Sequence, residues 1–130
     1  MSRLLFLGSD PVEMSVNSYT FFKWGIAPER MAVETQVDGV IHHLFTTRNW
    51  PVYILVKKDY RDLVILLRCI EKLNHWKRSR TVLGLIGKEL PDADEELSIR
   101  RIEVPYFYFR NPFGPDEIQS FVDAGCLFQN

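Results

Sequence analysis

Four short stretches of this chain are apolar at almost every position: Leu4-Leu5-Phe6-Leu7, Pro51-Val52-Tyr53-Ile54-Leu55-Val56, Thr81-Val82-Leu83-Gly84-Leu85-Ile86 and Tyr106-Phe107-Tyr108-Phe109. A strand with one wet face alternates apolar and polar residues, whereas a strand apolar throughout has both faces buried. A weaker run near Met31–Thr35 supplies a fifth strand. Helical patterns separate the runs from end to end. Strands buried on both faces and separated by helices demand a parallel sheet covered on each side. Right-handed crossovers then give an α/β fold, a doubly wound five-stranded parallel sheet in a (βα)5 sandwich.

The helix signals are local. Asp10 suits an N-cap, Pro11 the first helical position, and Glu13 completes a capping-box pattern. Val12, Val16 and Tyr19 follow at helical spacing, and Gly25 is a C-terminal stop. Asp38-Gly39 opens a short helix with Val40, Ile41, Leu44 and Phe45 inward. Asp59 and Asp62 start a long helix whose core stripe is Leu63, Leu66, Leu67, Ile70 and Leu73. Pro91-Asp92-Ala93-Asp94-Glu95 opens an acidic-ended helix carrying Leu97 and Ile102, with Arg100 and Arg101 at its basic end. Gly114-Pro115-Asp116-Glu117 starts a last helix with Ile118, Phe121 and Val122 inward, and Gly125 ends it.

Composition narrows the function classes. At 130 residues the chain forms one domain, 1–130, large enough to fold without a disulfide or metal staple. A net charge of −1 argues against a general nucleic-acid binder. Cys69 and Cys126 are too few for a disulfide framework. No apolar run reaches the ~18 residues of a membrane span, and the start lacks the long apolar stretch of a secretory signal. These features lead to the expectation of a cytoplasmic protein with free thiols.

In doubly wound sheets, sites lie at the carboxyl ends of the strands. Here those ends offer Gly8, Ser9 and Asp10, then Lys57, Lys58 and Asp59, then Ile86 and Gly87, then Arg110 and Asn111. Asp10 and Asp59 are the acidic ones, and each reads as a helix cap. Lys57 and Lys58 oppose a cation, so no metal site is expected. No Gly-x-Gly-x-x-Gly or Gly-Lys-Ser/Thr pattern cradles a phosphate, and Pro11 removes a donor N–H from the first helix start. No cofactor is implied. His42 and His43 are adjacent and face different ways on a helix, and His75 lies in a polar stretch; each reads as an ordinary solvated or partly buried histidine.

Asn111-Pro112-Phe113-Gly114-Pro115-Asp116-Glu117-Ile118 resembles the Lys-Pro-Phe-x-Pro-x-Glu-Leu segment after the fifth strand of response-regulator receiver domains. Leu4-Leu5-Phe6-Leu7-Gly8-Ser9-Asp10-Pro11 looks like the start of such a domain, and Pro51 to Lys57 like the strand that ends in its phosphoacceptor. The resemblance implies a flavodoxin-like, receiver-like sandwich. Carried over residue by residue, it also implies a degenerate site. The metal-binding acidic pair falls on Gly8 and Ser9, the phosphoacceptor Asp on Lys57, the switch Thr/Ser on Ile86 and the invariant Lys on Asn111. Only the switch aromatic is retained, as Tyr108. Receiver chemistry needs a carboxylate nucleophile, a divalent cation and groups that hold the phosphoryl product. Lys57 cannot form an acyl phosphate, and its ammonium is expected to pair with Asp10.

The resemblance thus implies a pseudo-receiver: no enzyme, but a signalling module working through a protein partner or a homodimer. The surface expected to make contact, by the same resemblance, is that of the fourth helix, fifth strand and fifth helix, with Arg100, Arg101, Tyr108 and Glu117. The long third helix offers a rival surface through Ile65, Cys69 and Trp76, which lie off its core stripe. Lys72, Lys77, Arg78 and Arg80 cluster with His75 and Trp76 at the end of that helix. The helix dipole favours cations there, so a nucleic-acid role is not needed to explain them. Two other readings remain. The segment Leu7-Gly8-Ser9-Asp10-Pro11-Val12-Glu13 is loosely similar to the central-stalk subunit of rotary ATPases. A flavodoxin-like ligand-binding domain would share the sheet but use a phosphate loop.

Overall fold

The computed structural model describes residues 3–46, 51–111 and 113–127. Five strands form: β1 (Arg3–Leu7), β2 (Met31–Glu34), β3 (Val52–Lys57), β4 (Thr81–Gly87) and β5 (Tyr106–Arg110). Six α-helices accompany them: α1 (Pro11–Lys23), α2 (Val37–Thr46), α3 (Leu63–Glu71), α4 (His75–Arg78), α5 (Ala93–Arg100) and α6 (Pro115–Leu127). All strand pairs are parallel, in the order β2-β1-β3-β4-β5. The chain steps from β1 out to β2, then crosses back to β3. Strand order therefore reverses between β1 and β3, where a doubly wound sheet opens its crevice. The expected flavodoxin-like sandwich is the observed one.

Alternation along the strands divides the core into two layers. Leu5, Leu7, Ile54, Val56, Leu83 and Leu85 face α2, α3 and α5 and pack on Val40, Leu44, Leu66, Ile70 and Ile99. Leu4, Phe6, Tyr53, Leu55, Val82 and Ile86 face the other way, onto Met14 and Phe21 of α1 and Ile118 and Phe121 of α6. This second layer is aromatic. Phe21 lies 5.4 Å from Phe6 and 6.1 Å from Phe113 between ring centroids, and Phe109 lies 5.2 Å from Phe121. Phe113 belongs to the Pro-Phe segment, so that motif anchors the β5–α6 turn by packing; Pro112 itself lies outside the described residues.

Several expectations about helices are corrected. Val12, Val16 and Tyr19 do not face the core; α1 buries Met14, Asn17 and Phe21 instead. Phe45 and Leu97 are exposed, and Ile99 with Ile102 fills the core where Leu97 was expected. The long third helix is broken. Its first part ends at Glu71, and the Asn74 side chain accepts from the Lys77 N–H at 2.8 Å to start the separate α4. A side-chain cap satisfies the first backbone donors of a new helix and so competes with continuing the old one. Asp59 does not start α3, which begins at Leu63 after Asp62. The last helix runs through Gly125 to Leu127. At the end of α1, Gly25 adopts φ 102°, a left-handed conformation that glycine takes without a Cβ clash, and it terminates the helix as expected.

Gly84 sits in β4 where a Cβ would stand 3.0 Å from ring carbons of both Phe109 and Phe121. Gly84→Val should overpack the aromatic layer and lower stability by ~2 kcal/mol in urea unfolding. An unchanged unfolding midpoint would contradict this packing.

Candidate functional site

The carboxyl ends of β3, β4 and β5, beside the first turn of α1, open into a crevice of about 520 Å³, lined by Glu13, Lys57, Ile86, Asn111 and flanking charged residues. Lys57 pairs with Ile86 in the strand register, and the Asn111 N–H donates to the Gly87 carbonyl at 3.0 Å. Three of the positions expected from the sequence, Lys57, Ile86 and Asn111, therefore converge. Gly8, Ser9 and Asp10 form the neighbouring β1–α1 turn and do not line the crevice.

Asp10 is committed to the helix. Its Oδ1 accepts from the Val12 N–H at 3.0 Å and the Glu13 N–H at 3.4 Å. The positive end of α1 is thus already occupied by the chain's own anion. Gly8 is buried, and a Cβ there would lie 2.9 Å from the Met14 side chain. A side chain at Gly8 requires the Met14 side chain to shift.

Lys57 follows Tyr53 and Leu55 by twos, so its side chain leaves the sheet on the α1 side. Its Nζ lies 3.0 Å from Glu13 Oε1 and donates to Glu13 Oε2 at 3.1 Å. The expected Lys57–Asp10 pair is corrected: the partner is Glu13. Asp10 is held at the cap, while Glu13 lies one turn further along α1. The hydrogen bond to Glu13 raises the Lys57 amine above its ordinary pKa. Partial burial opposes this, and the charges of Glu13, Asp59 and Asp10 reinforce it.

Lys58, one residue on, leaves on the opposite face. Its Nζ donates to the Leu90 carbonyl at 3.2 Å and lies 3.4 Å from Glu95 Oε1. Glu95 also closes the capping box of α5 with Asp92. Two adjacent lysines thereby tie the end of β3 to α1 on one side and to α5 on the other. The crevice lining holds Lys57, Lys58 and Lys88 against Glu13, Asp59, Glu89 and Glu95, a mixture that favours neither a cation nor a polyanion. Among the described residues no three His, Cys, Asp or Glu side chains come together as a metal site.

The candidate contact surfaces divide. Around α5 and β5, Arg100 donates to Glu96 at 2.8 Å and the Tyr106 hydroxyl donates to the same carboxylate at 2.9 Å. Tyr108, expected from the sequence to be the switch aromatic, is half-buried and its hydroxyl donates to the Glu89 carbonyl. Glu117 accepts from the Gly114 N–H at 2.9 Å, and Arg101 is exposed. Most of these side chains are therefore engaged locally. Ile65 is exposed and Cys69 half-buried on α3, whereas Trp76 lies on α4 with the Arg80 guanidinium 3.2 Å above its ring. The three do not share one helix. Lys77 is buried rather than solvated, and desolvation, aided by Arg80, lowers its pKa. His43 is half-buried and 3.3 Å from Glu34. Cys126 has no described side chain.

Sequence reasoning missed Glu13 and Glu95 as site residues. The signal was present: strand alternation sends Lys57 and Lys58 to opposite helices, and each helix carries a Glu in its first turn.

Glu13→Gln removes the partner of Lys57 and should cost less than about 1 kcal/mol at neutral pH, because the pair is partly solvated. A raised folded-state pKa stabilises below the unfolded value and is lost as pH rises through the folded one. The difference between wild type and Glu13→Gln should hold up to pH 10.5, the ordinary lysine value, and shrink above it in chemical unfolding. A difference that grows with alkaline pH would contradict the pairing.

No protein-family model matches the chain. No curated protein matches it in sequence. Solved structures do match in fold. A proposed pilus assembly-related protein from Burkholderia pseudomallei superposes with a TM-score of 0.74 at 14% identity, over 100% of this chain and 92% of that one. A proposed pilus assembly protein, CpaE, from Burkholderia thailandensis gives 0.66 at 14% identity, over 98% and 99%. No helix among the described residues is long and apolar enough to cross a membrane. The chain has a flavodoxin-like fold of the receiver-like type.

Proposed function

We propose that the chain is a pseudo-receiver, a regulatory module that works through protein contacts and takes no phosphoryl group at its strand ends. One observation carries this reading: the position that a receiver gives to its phosphoacceptor holds Lys57, with its ammonium ion-paired to Glu13. An amine paired in that place offers no carboxylate nucleophile and puts a positive charge where a divalent cation would have to sit. Met14 supports the reading from the other side, since it fills the space that an acidic side chain at Gly8 would need. The descriptions of the two Burkholderia structures favour pilus assembly as the process such a module serves.

Incubation with Mg²⁺ and acetyl phosphate should leave the intact mass unchanged, where an active receiver gains about 80 Da, one phosphoryl group. Lys57→Asp should also gain nothing, because the acidic pair that holds the cation is still missing. A stoichiometric gain in the wild-type chain would overturn the proposal.

A further inference from the structure

Helix α1 carries an apolar face that nothing among the described residues covers. Val12 is 70% exposed, Val16 60% and Tyr19 58%, and Phe22 and the capping Trp24 are also exposed. From Met14 to Phe22 the helix has no charged residue. Aromatic residues without interspersed charge mark the centre of a protein interface.

The charges lie at the ends. Asp10 and Glu13 stand at the start of α1 and Lys23 at its finish. Val12, Val16, Tyr19 and Lys23 are spaced by four, three and four residues, a pattern symmetric about its own midpoint. A two-fold axis through that midpoint sets Val16 against Tyr19 and Val12 against Lys23 of a second copy, in both directions at once. The stripe is ~17 Å long at 1.5 Å per residue. Antiparallel pairing also brings the Lys23 amine, which lies 5.8 Å from the Tyr19 ring centroid in the single chain, toward the acidic start of the opposite helix. The two helix dipoles then oppose each other end to end. A membrane surface fits poorly, since an interfacial helix is rich in basic residues and α1 has one lysine.

We propose that the exposed face of α1 is an isologous dimer interface whose occupant is a second copy of this chain. The proposal rests on the reading of the chain as a contact module and names its partner. Its failure is distinguishable from failure of the pseudo-receiver reading, because phosphorylation reads out as a mass gain whatever the oligomeric state.

Sedimentation equilibrium of the whole chain tests it. The expected species has twice the 15.3 kDa chain mass. Val16→Asp should give the single-chain mass with unchanged far-ultraviolet circular dichroism. Lys23→Glu, on an exposed side chain, should weaken association about tenfold, the ratio equivalent to 1.4 kcal/mol. Adding Val12→Lys to Lys23→Glu should restore association, because the symmetry places the two new charges against each other. If Val16→Asp loses its fold, the Lys23→Glu loss and its rescue decide. A wild-type chain that stays single across the concentration range, or a dimer indifferent to these variants, would overturn the proposal.

Discussion

Burial of the β1-β3-β4 centre on both faces is the constraint on which the rest of the structure depends. Leu5, Ile54 and Leu83 are shut from solvent on one face, and Phe6, Leu55 and Val82 on the other. Parallel strands cannot be joined by hairpins, so every connection is a helical crossover, and the helices supply the two covers. Right-handed crossovers that run one way put their helices on one face, so covering both faces requires the reversal of strand order between β1 and β3. The reversal puts the end of β3 beside the start of α1, and the position of Lys57 and Glu13 follows.

That juxtaposition gives the site its character. Alternation sends Lys57 to α1 and Lys58 to α5, and each finds a glutamate in the first turn of its helix. Both ion pairs are partly solvated, so neither is a large stabiliser. Their effect is on sign and geometry. On the proposed pseudo-receiver reading they put ammonium groups where a receiver assembles carboxylates around a cation, and they tie the end of β3 to both helical layers. Met14, packed into the space beside Gly8, joins the β1–α1 turn to the aromatic layer.

The sheet was legible because its strands are apolar at consecutive positions, a pattern few other environments tolerate. Helix faces were less so. Helix α1 is apolar on both sides: Met14 and Phe21 go inward, and Val12, Val16 and Tyr19 remain outside, so its pattern does not say which side faces the core. The break before α4 rests on one side-chain cap, Asn74, set among residues that read equally well as a continuing helix. The choice of Glu13 over Asp10 as the partner of Lys57 depends on reach. Asp10 is spent on the cap, and only the longer side chain one turn further on meets the lysine. The symmetric outer stripe of α1 was present in the sequence, but its exposure needed the packed structure to identify it.

The most direct test of the central claim, that the Lys57–Glu13 pair replaces a cation site, is a Mg²⁺ titration followed through backbone amide resonances. The account predicts no saturable shifts at Gly8, Ser9, Asp10, Lys57 or Lys58 as Mg²⁺ is raised. Saturable shifts confined to those amides would show a cation held at the strand ends and would contradict it.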